Sequence, residues 1–367
     1  MKDLIRDIGK KKLLLIIGGV VGIIVLIIVV LLLYNAFFAK NSYSSVESKL
    51  VKAAQKYYDD NAKLLPKNIN DEVSINSTTL TTGEYLKSLD ELVPDKNVSC
   101  TATVTVTNIN GNYRYSPKLK CGEVYETKTL TQYIKENDGV VTSGQGLYEM
   151  NGNFVYRGDN PNNNVKFAGK NWKIVKIEDD QVVLIMAVKF NRSVWDDRYN
   201  TERNSDDGIN DYRVSRMNDY LTNLYNDDLF NDNNKLMISA HNLYIGKRSS
   251  EVSYNDGSLE KSEVLENKYI GLLPLFDFIN ASLDNNYSSA ETKGCSNYNY
   301  LSDYGYNWWT LTGDADTTHK VFKITESGKV TTSRAVSASY ARPVIYLAKD
   351  VIYVSGNGTS DSPYVAK

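Results

Sequence analysis

Residues 100–121 read CTATVTVTNINGNYRYSPKLKC and predict a β-hairpin. Small and β-branched side chains alternate up to Ile109, and Asn110-Gly111 then supplies the two-residue turn favoured by type I′ hairpins. Such a turn places Cys100 opposite Cys121 in a non-hydrogen-bonded pair, where the two Cα atoms lie about 4.5 Å apart. Because that spacing falls inside the range that a disulfide spans, we expect Cys100 and Cys121 to be bonded.

An apolar stretch upstream of the hairpin indicates the cellular location of the protein. Residues 13–33 read LLLIIGGVVGIIVLIIVVLLL, without a charged, polar or proline residue. About 20 such residues cross the hydrocarbon core of a bilayer, which predicts a transmembrane anchor over 13–36. A cleaved signal peptide is the alternative, but its apolar region usually covers only about 7 to 15 residues. We therefore expect an uncleaved signal-anchor.

The residues before the anchor predict its orientation. Five basic side chains precede it: Lys2, Arg6, Lys10, Lys11 and Lys12. The positive-inside rule then predicts that residues 1–12 form a cytoplasmic tail and that the carboxy-terminal bulk is extracellular, on a single-pass protein of the cell membrane. Gly18 and Gly22 form a Gly-x-x-x-Gly pair, which can bring two membrane helices together as a homo-oligomer.

Net charge and the number of cysteines and histidines bear on which classes of function are expected. The chain has 367 residues and a formal net charge of −2, so nothing in it indicates a nucleic-acid partner. Besides the hairpin pair, the chain has a third cysteine, Cys295, which we expect to be a buried or free thiol. His241 and His319 lie far apart without ligand-like neighbours, and no zinc site is predicted.

Residues after the anchor recur at helical spacing. Tyr43, Val46, Leu50, Ala53, Tyr57 and Leu64 fall on one helical face. The pattern predicts that the membrane helix continues outward as one long helix until Pro66. A long amino-terminal helix on a small antiparallel sheet resembles the type IV pilin and pseudopilin plan, over about residues 13–125, and implies a stalk domain at 40–138. The processing glycine and following glutamate of pilins are absent, which argues against a processed pilus.

The remainder of the chain has a second resemblance, beyond a Gly-rich linker predicted at 139–150. Four blocks, YRGDNPNNNVKFAGKNWKIVKI, SRMNDYLTNLYNDDLF, NWWTLT and RPVIYL, are similar to a bacterial surface domain related to the formylglycine-generating-enzyme fold, which is C-type-lectin-like. The resemblance implies an α+β domain at 151–367, with two helices flanking irregular sheets. The enzymes of that fold need a cysteine pair, and this region has only Cys295, so we expect no enzymatic activity.

Candidate binding residues in this region are aromatic and acidic. Trp308 and Trp309 alternate across a predicted strand, so one of them can face outward as a stacking platform for a sugar ring. Trp195 and Asp314 complete the candidate ligand site. Asp206, Asp207 and Asp211 could supply oxygen ligands to Ca²⁺, although their spacing is not that of an EF-hand and a solvated loop is the default explanation of such residues. No other cofactor is predicted.

These patterns predict a cell-surface protein that displays a non-catalytic recognition or adhesion domain. Its expected partners are the bilayer and a glycan, a cell-wall polymer or a surface protein. The alternative is a pilin-like structural subunit of a cell-envelope assembly.

Overall fold

A computed structural model describes residues 42–249, 256–284, 297–302 and 305–367. The chain divides into two compact units, residues 1–127 and 128–367. The boundary therefore precedes the linker predicted at 139–150, and that linker contains a strand, Gly146–Met150, which pairs with Asn153–Arg157.

The helices of the described residues are short. In chain order they are α1 (Tyr43–Asp60), α2 (Ser77–Thr82), α3 (Leu89–Leu92), α4 (Leu130–Asp138), α5 (Arg216–Asn223), α6 (Asp232–Leu236) and α7 (Leu275–Asn280). Single turns of 3₁₀ helix occur at Ala62–Leu64, Tyr212–Val214 and Glu260–Ser262, and a π-helical turn follows α5 at Leu224–Asp228.

Strands make up more of the described structure than helices. The amino-terminal unit contains β1 (Glu72–Asn76), β2 (Cys100–Ile109), β3 (Asn112–Cys121) and β4 (Tyr125–Glu126). The carboxy-terminal unit contains β5 (Gly146–Met150), β6 (Asn153–Arg157), β7 (Asn164–Phe167), β8 (Lys170–Glu178), β9 (Gln181–Met186), β10 (Arg192–Val194), β11 (His241–Tyr244), β12 (Val264–Lys268), β13 (Trp308–Gly313), β14 (Lys320–Ile324), β15 (Val330–Arg334), β16 (Ala338–Tyr340), β17 (Val344–Leu347), β18 (Tyr353–Ser355) and β19 (Tyr364–Ala366).

The predicted fold class, α+β with a long continuous amino-terminal helix and a C-type-lectin-like domain, is wrong: the protein is mostly β. Ser42 is extended, with φ −89° and ψ 155°, and its side chain accepts a hydrogen bond from the Ser45 amide. This N-cap starts α1 as a separate helix at Tyr43, and the helix ends at Asp60, before Leu64, which is 52% exposed.

Among the described residues, no helix is both long and apolar enough to cross a bilayer. The predicted anchor, 13–36, lies outside the described residues.

The amino-terminal unit packs α1 against a four-stranded sheet of order β1-β2-β3-β4. Val46, Leu50 and Ala54 recur at helical spacing and are fully buried on the sheet. From the sheet, Val104, Val106 and Leu119 complete the same core. Glu47 shares the buried face of α1, where its carboxylate accepts hydrogen bonds from the Tyr125 hydroxyl at 2.7 Å and the Thr127 hydroxyl at 2.5 Å.

The predicted hairpin register is confirmed. Strands β2 and β3 pair from Ile109 with Asn112 down to Cys100 with Cys121, around Asn110-Gly111 at positive φ. Cys100 and Cys121 form a disulfide with their Cα atoms 4.1 Å apart. An asparagine-glycine turn thus sets the register of the longest strand pair in the unit.

Removing the disulfide is expected to destabilise the amino-terminal unit. Cross-linking residues 21 apart in sequence restricts the unfolded chain, which corresponds to about 3 kcal/mol in the chain-entropy model. The double variant Cys100→Ser/Cys121→Ser should lose about that much free energy of unfolding in urea. Reductant should destabilise the wild type similarly and leave the double variant unchanged; an equal effect of reductant on both proteins would contradict this account.

The carboxy-terminal unit contains a large sheet with the order β17-β9-β8-β7-β19-β18, to which β6 adds by pairing with β8, and β5 by pairing with β6. A five-stranded sheet has the order β10-β16-β13-β14-β15, and β11 pairs with β12. One hydrophobic core joins these sheets, and it contains all four tryptophans of the chain: Trp172, Trp195, Trp308 and Trp309.

His241 is buried in this unit and stacks on Tyr346 with ring centroids 3.7 Å apart. Burial lowers the pKa of His241 to about 4, and the nearby Lys176 ammonium adds to this, while the Ser239 carbonyl and Glu178 carboxylate oppose it. The imidazole is therefore neutral at pH 7 within the folded unit.

Acid is expected to destabilise the unit through His241. The unfolded chain takes up a proton near pH 6.5 and the folded chain only near pH 4, so the stabilisation is complete above pH 6.5 and lost as pH falls to 4. Relative to His241→Phe, which keeps an aromatic ring, the wild type should lose about 3 kcal/mol between pH 7 and pH 4. Parallel pH profiles of unfolding free energy for the two proteins would contradict this. As a control, the variant His319→Asn should still lose most of the same free energy between pH 7 and pH 4, because it keeps His241.

Candidate functional site

A pocket of about 300 Å³ lies at one edge of the large sheet in the carboxy-terminal unit. Its volume is at the lower end of the range for small-ligand sites, about 300–1,000 Å³. Ten residues line it: Asn137, Asp138, Val141, Gln145, Gly146, Leu147, Tyr156, Pro161, Asn162 and Asn357. Four of these residues carry side-chain amides and one a carboxylate, and among the described lining residues none is Lys or Arg.

Three loops meet at the pocket, after α4, after β6 and before β19, and two glycines allow them to approach. Gly158 has φ +116°, and a Cβ there would lie 2.3 Å from the Gln145 Cβ. Gly358 has φ +78°, and a Cβ there would lie 2.0 Å from the Asn162 carbonyl oxygen. Two hydrogen bonds hold the loops together: the Asn160 backbone amide donates to the side-chain oxygen Oε1 of Gln145 at 3.1 Å, and the Asn164 backbone amide donates to the Gly358 carbonyl at 2.8 Å. Only glycine fits both positions without displacing a pocket wall.

Asp138 is the charged group of the pocket and ends α4. A carboxylate is unfavourable at a helix carboxyl terminus, where the macrodipole is negative, so it needs donors. Tyr364 donates to Asp138 Oδ1 at 2.7 Å and Asn137 to the same oxygen at 2.9 Å, while the Tyr156 hydroxyl donates to Oδ2. Burial, reinforced by the Asp138 carboxylate, raises the pKa of both tyrosines well above the ordinary value, so they remain hydroxyl donors.

The pocket chemistry suits an uncharged polar ligand. The side chains of Gln145, Asn162 and Asn357 are exposed at its rim, and amides both donate and accept hydrogen bonds. Leu147 and Pro161 add apolar surface beside them. Hydroxyl groups on a small carbon skeleton, as in a saccharide, match this combination, whereas an anionic ligand would meet the Asp138 carboxylate without a compensating cation among the described lining residues.

The tryptophans that the sequence suggested for ligand stacking are buried instead. Trp308 is 1% exposed and Trp309 is fully buried, so neither face of strand β13 presents a platform. The Trp309 indole donates to the Ser193 carbonyl at 3.1 Å, and the Trp195 indole to the Thr310 carbonyl at 3.2 Å. Both faces of β13 are covered, and alternation along a strand cannot reveal this.

The acidic candidates have structural partners. Asp314 is buried and accepts hydrogen bonds from the Asp316 amide and the Thr317 hydroxyl within one loop, each at 3.1 Å. Asp207 pairs with Arg203 at 2.8 Å and Arg334 at 3.1 Å, and the hydrogen bonds from Arg203, Ser205 and Arg334 lower its pKa to about 2.

The calcium candidates do not converge on a metal site. Asp206 is exposed, and Asp211 pairs with Arg213 at 3.5 Å. Within the described ranges, no group of three or more His, Cys, Asp or Glu side chains could hold a metal ion. The remaining candidates, Gly18, Gly22 and Cys295, lie outside the described residues.

Sequence reasoning missed the pocket residues Asp138, Gln145, Asn162 and Asn357. A signal was present, because the loops holding the last three are rich in Gly and Asn: TSGQG, GDNPNNN and GNGTSDS. Such composition predicts turns, but it does not show that loops roughly 200 residues apart in sequence come together.

The hydroxyl of Tyr364 is expected to stabilise the carboxy-terminal unit through the Asp138 carboxylate. Hydrogen bonds to charged groups contribute about 1.5–3 kcal/mol, so Tyr364→Phe should lower the unfolding free energy by that amount. Tyr353→Phe is the matched control, because the Tyr353 hydroxyl donates at 2.9 Å to a neutral acceptor, the Gly356 carbonyl. This variant should lower the unfolding free energy by about 1 kcal/mol. Equal losses in urea unfolding would show that the charge of Asp138 does not matter.

Comparison with protein-family models, curated proteins and solved structures found no match to the chain. Function is therefore inferred from its residues and from the geometry of the pocket.

Proposed function

We propose that this protein is a single-pass, membrane-anchored surface protein whose carboxy-terminal unit binds an uncharged, hydroxyl-rich ligand such as a glycan or cell-wall polymer. The observation that carries the proposal is the amide-lined pocket formed by the loops after α4, after β6 and before β19. Amide side chains with one fixed carboxylate and a few apolar neighbours are the groups that bind hydroxylated ligands by hydrogen bonding and contact.

Surface location is supported by the sequence and by the disulfide. Residues 13–33 are apolar throughout and follow five basic residues, which favours export of all that comes after them. The Cys100–Cys121 disulfide is typical of proteins in an oxidising compartment. The Gly18–Gly22 pair supports a further prediction, association of two anchors side by side.

The hydrogen bonds of the pocket carboxylate support a binding role without catalysis. General acid–base chemistry needs a group that can exchange a proton with the ligand. Asp138 accepts hydrogen bonds from Tyr156, Tyr364 and Asn137 on its two oxygens, which gives it a structural role in the pocket wall. We infer that it holds the pocket wall in place and that the exposed amides contact the ligand.

The proposal is tested on intact cells that express the full chain with a carboxy-terminal tag. Antibody to the tag should label unpermeabilised cells, and labelled polysaccharides or peptidoglycan fragments should bind saturably. Gln145→Ala and Asn162→Ala should each weaken binding at least about tenfold, which corresponds to about 1.4 kcal/mol of lost contact.

Asn171→Ala is the matched control, because Asn171 is an exposed asparagine of the same unit that does not line the pocket. It should bind as the wild type does. Labelling of the tag only after permeabilisation would overturn the surface location. Surface labelling with no saturable binding to any probe would overturn the binding role and favour the structural alternative.

A further inference from the structure

A lysine is buried at the centre of the large sheet. Lys176 is 1% exposed, and a β-bulge at Val175 shifts the register of β8 against β9, so that Ile174 faces Leu184 and Lys176 faces Val183. Because a bulge re-aims the side chains that follow it, Lys176 and Glu178 both enter the core at the end of this strand.

Two carboxylates meet the lysine there. Lys176 Nζ lies 3.0 Å from Asp277 Oδ2, which comes from α7, and 3.2 Å from Glu178 Oε2. Within the described part of the chain, neither Lys176 Nζ nor Asp277 Oδ2 has a hydrogen bond of acceptable angle, although the two atoms are close. Buried charges without well-formed hydrogen bonds are costly, so an ion pair is a poor final state for these groups.

The surroundings are aromatic, and a small cavity adjoins them. The Phe276 and Tyr244 ring centroids lie 5.0 Å and 5.7 Å from Lys176 Nζ, and the Tyr346 hydroxyl donates to Glu178 Oε2 at 3.1 Å. A cavity of about 10 Å³ adjoins Asp277, Tyr244 and Tyr346. It has room for about one water molecule, for which the minimum is about 10–15 Å³.

The two carboxyl groups differ in their readiness to hold a proton. Burial raises the pKa of Asp277 to about 6, since desolvation of its carboxylate outweighs the attraction of Lys176. Burial acts on Glu178 in the same direction, but the Lys176 ammonium and the Tyr346 hydroxyl outweigh it and hold the pKa of Glu178 below its ordinary value. Asp277 is thus the carboxyl group that more readily accepts a proton, and Glu178 is the one that stays ionised beside the lysine. Burial lowers the pKa of Lys176, but Asp277 and Glu178 outweigh it and raise that pKa above the ordinary value, so Lys176 gives up a proton only to a carboxylate in direct contact.

We propose that Lys176 and Asp277 become joined by an intramolecular amide bond, with Glu178 as the base that enables it. The Lys176 ammonium gives one proton to the Asp277 carboxylate, and the resulting amine attacks Cγ of the resulting carboxyl group. Glu178 takes one proton from the attacking nitrogen and passes it to the departing hydroxyl, so a C–O bond breaks, a C–N bond forms and water leaves. In balance, one ammonium and one carboxylate become one amide and one water, without an oxidant or cofactor.

Proximity and desolvation favour this reaction over a persistent ion pair. Reacting groups held about 3–3.5 Å apart behave as though present at about 10⁵–10⁸ M. Condensation also replaces two buried charges with one neutral amide, and the water released can occupy the adjoining cavity. The cross-link would tie β8 covalently to α7, across a loop of about 100 residues.

Two other ion pairs of the same unit serve as internal controls. Lys135 Nζ and Asp180 Oδ1 are also 3.0 Å apart, but these side chains are 31% and 68% exposed, so water stabilises both charges. Arg248 and Glu260 are fully buried at 3.2 Å, but a guanidinium does not lose its proton to become a nucleophile. Neither pair should condense.

The test is mass spectrometry of the full chain purified in detergent and reduced, so that the disulfide does not contribute to the mass. Proteolytic mapping of the folded wild type should yield a cross-linked peptide pair containing Lys176 and Asp277, lighter by one water than the two linear peptides together. Glu178→Gln keeps the shape of the side chain but is not a base, and should slow formation of the link about 100-fold.

Each possible result overturns a different part of the proposal or supports it. Linear Lys176 and Asp277 peptides from folded wild-type protein would overturn the proposal, as would a link from Lys176 to Glu178 or between Lys135 and Asp180. A link that forms equally fast in Glu178→Gln would overturn the role of Glu178. Because the wild type alone gives the primary readout, misfolding of a variant does not affect the conclusion, and the outcome is independent of ligand binding at the pocket.

Discussion

Burial of both faces of strand β8 is the constraint on which the carboxy-terminal unit depends. The strand is paired on both sides, by β9 on one and by β7 and β6 on the other, and its residues from Ile174 to Glu178 are all buried. A strand in this position leaves no solvent-facing side for polar residues. Any charge it carries must therefore meet an opposite charge, and Lys176 does so with Glu178 and Asp277.

The same constraint agrees with the position of the amide-lined pocket. The middle of the sheet is filled by Trp172, Val175 and their neighbours, and the pocket lies where loops cover the sheet. The loops around Gln145, Asn162 and Asn357 are polar and contain glycines, so they can approach closely without burying unpaired backbone groups. The arrangement places polar loops at the edge of a buried sheet, and binding residues of proteins are often found on loops held by such a scaffold.

Asp138 connects the pocket to the fold of the unit. It ends helix α4, which begins at the Thr129–Gln132 capping box, and it accepts hydrogen bonds from Tyr156 on β6 and Tyr364 on β19. One carboxylate thus joins a helix and two strands from distant parts of the chain. The partners of its oxygens are hydroxyl and amide donors, and none of the described residues that line the pocket is Lys or Arg.

Local sequence determined the amino-terminal hairpin, because an Asn-Gly turn and alternating residues set a register within twenty-two residues of chain, and the cysteine pairing followed from it. Sequence periodicity also placed the buried face of α1, although the extended Ser42, a cap of a single residue, made α1 a separate helix. Only the tertiary structure decided that Trp195, Trp308 and Trp309 are core residues, because burial depends on what covers both faces of a strand. It likewise decided the pocket and the Lys176 site, since each is formed by side chains about 100 to 200 residues apart, whose approach depends on packing and leaves no local pattern in the sequence.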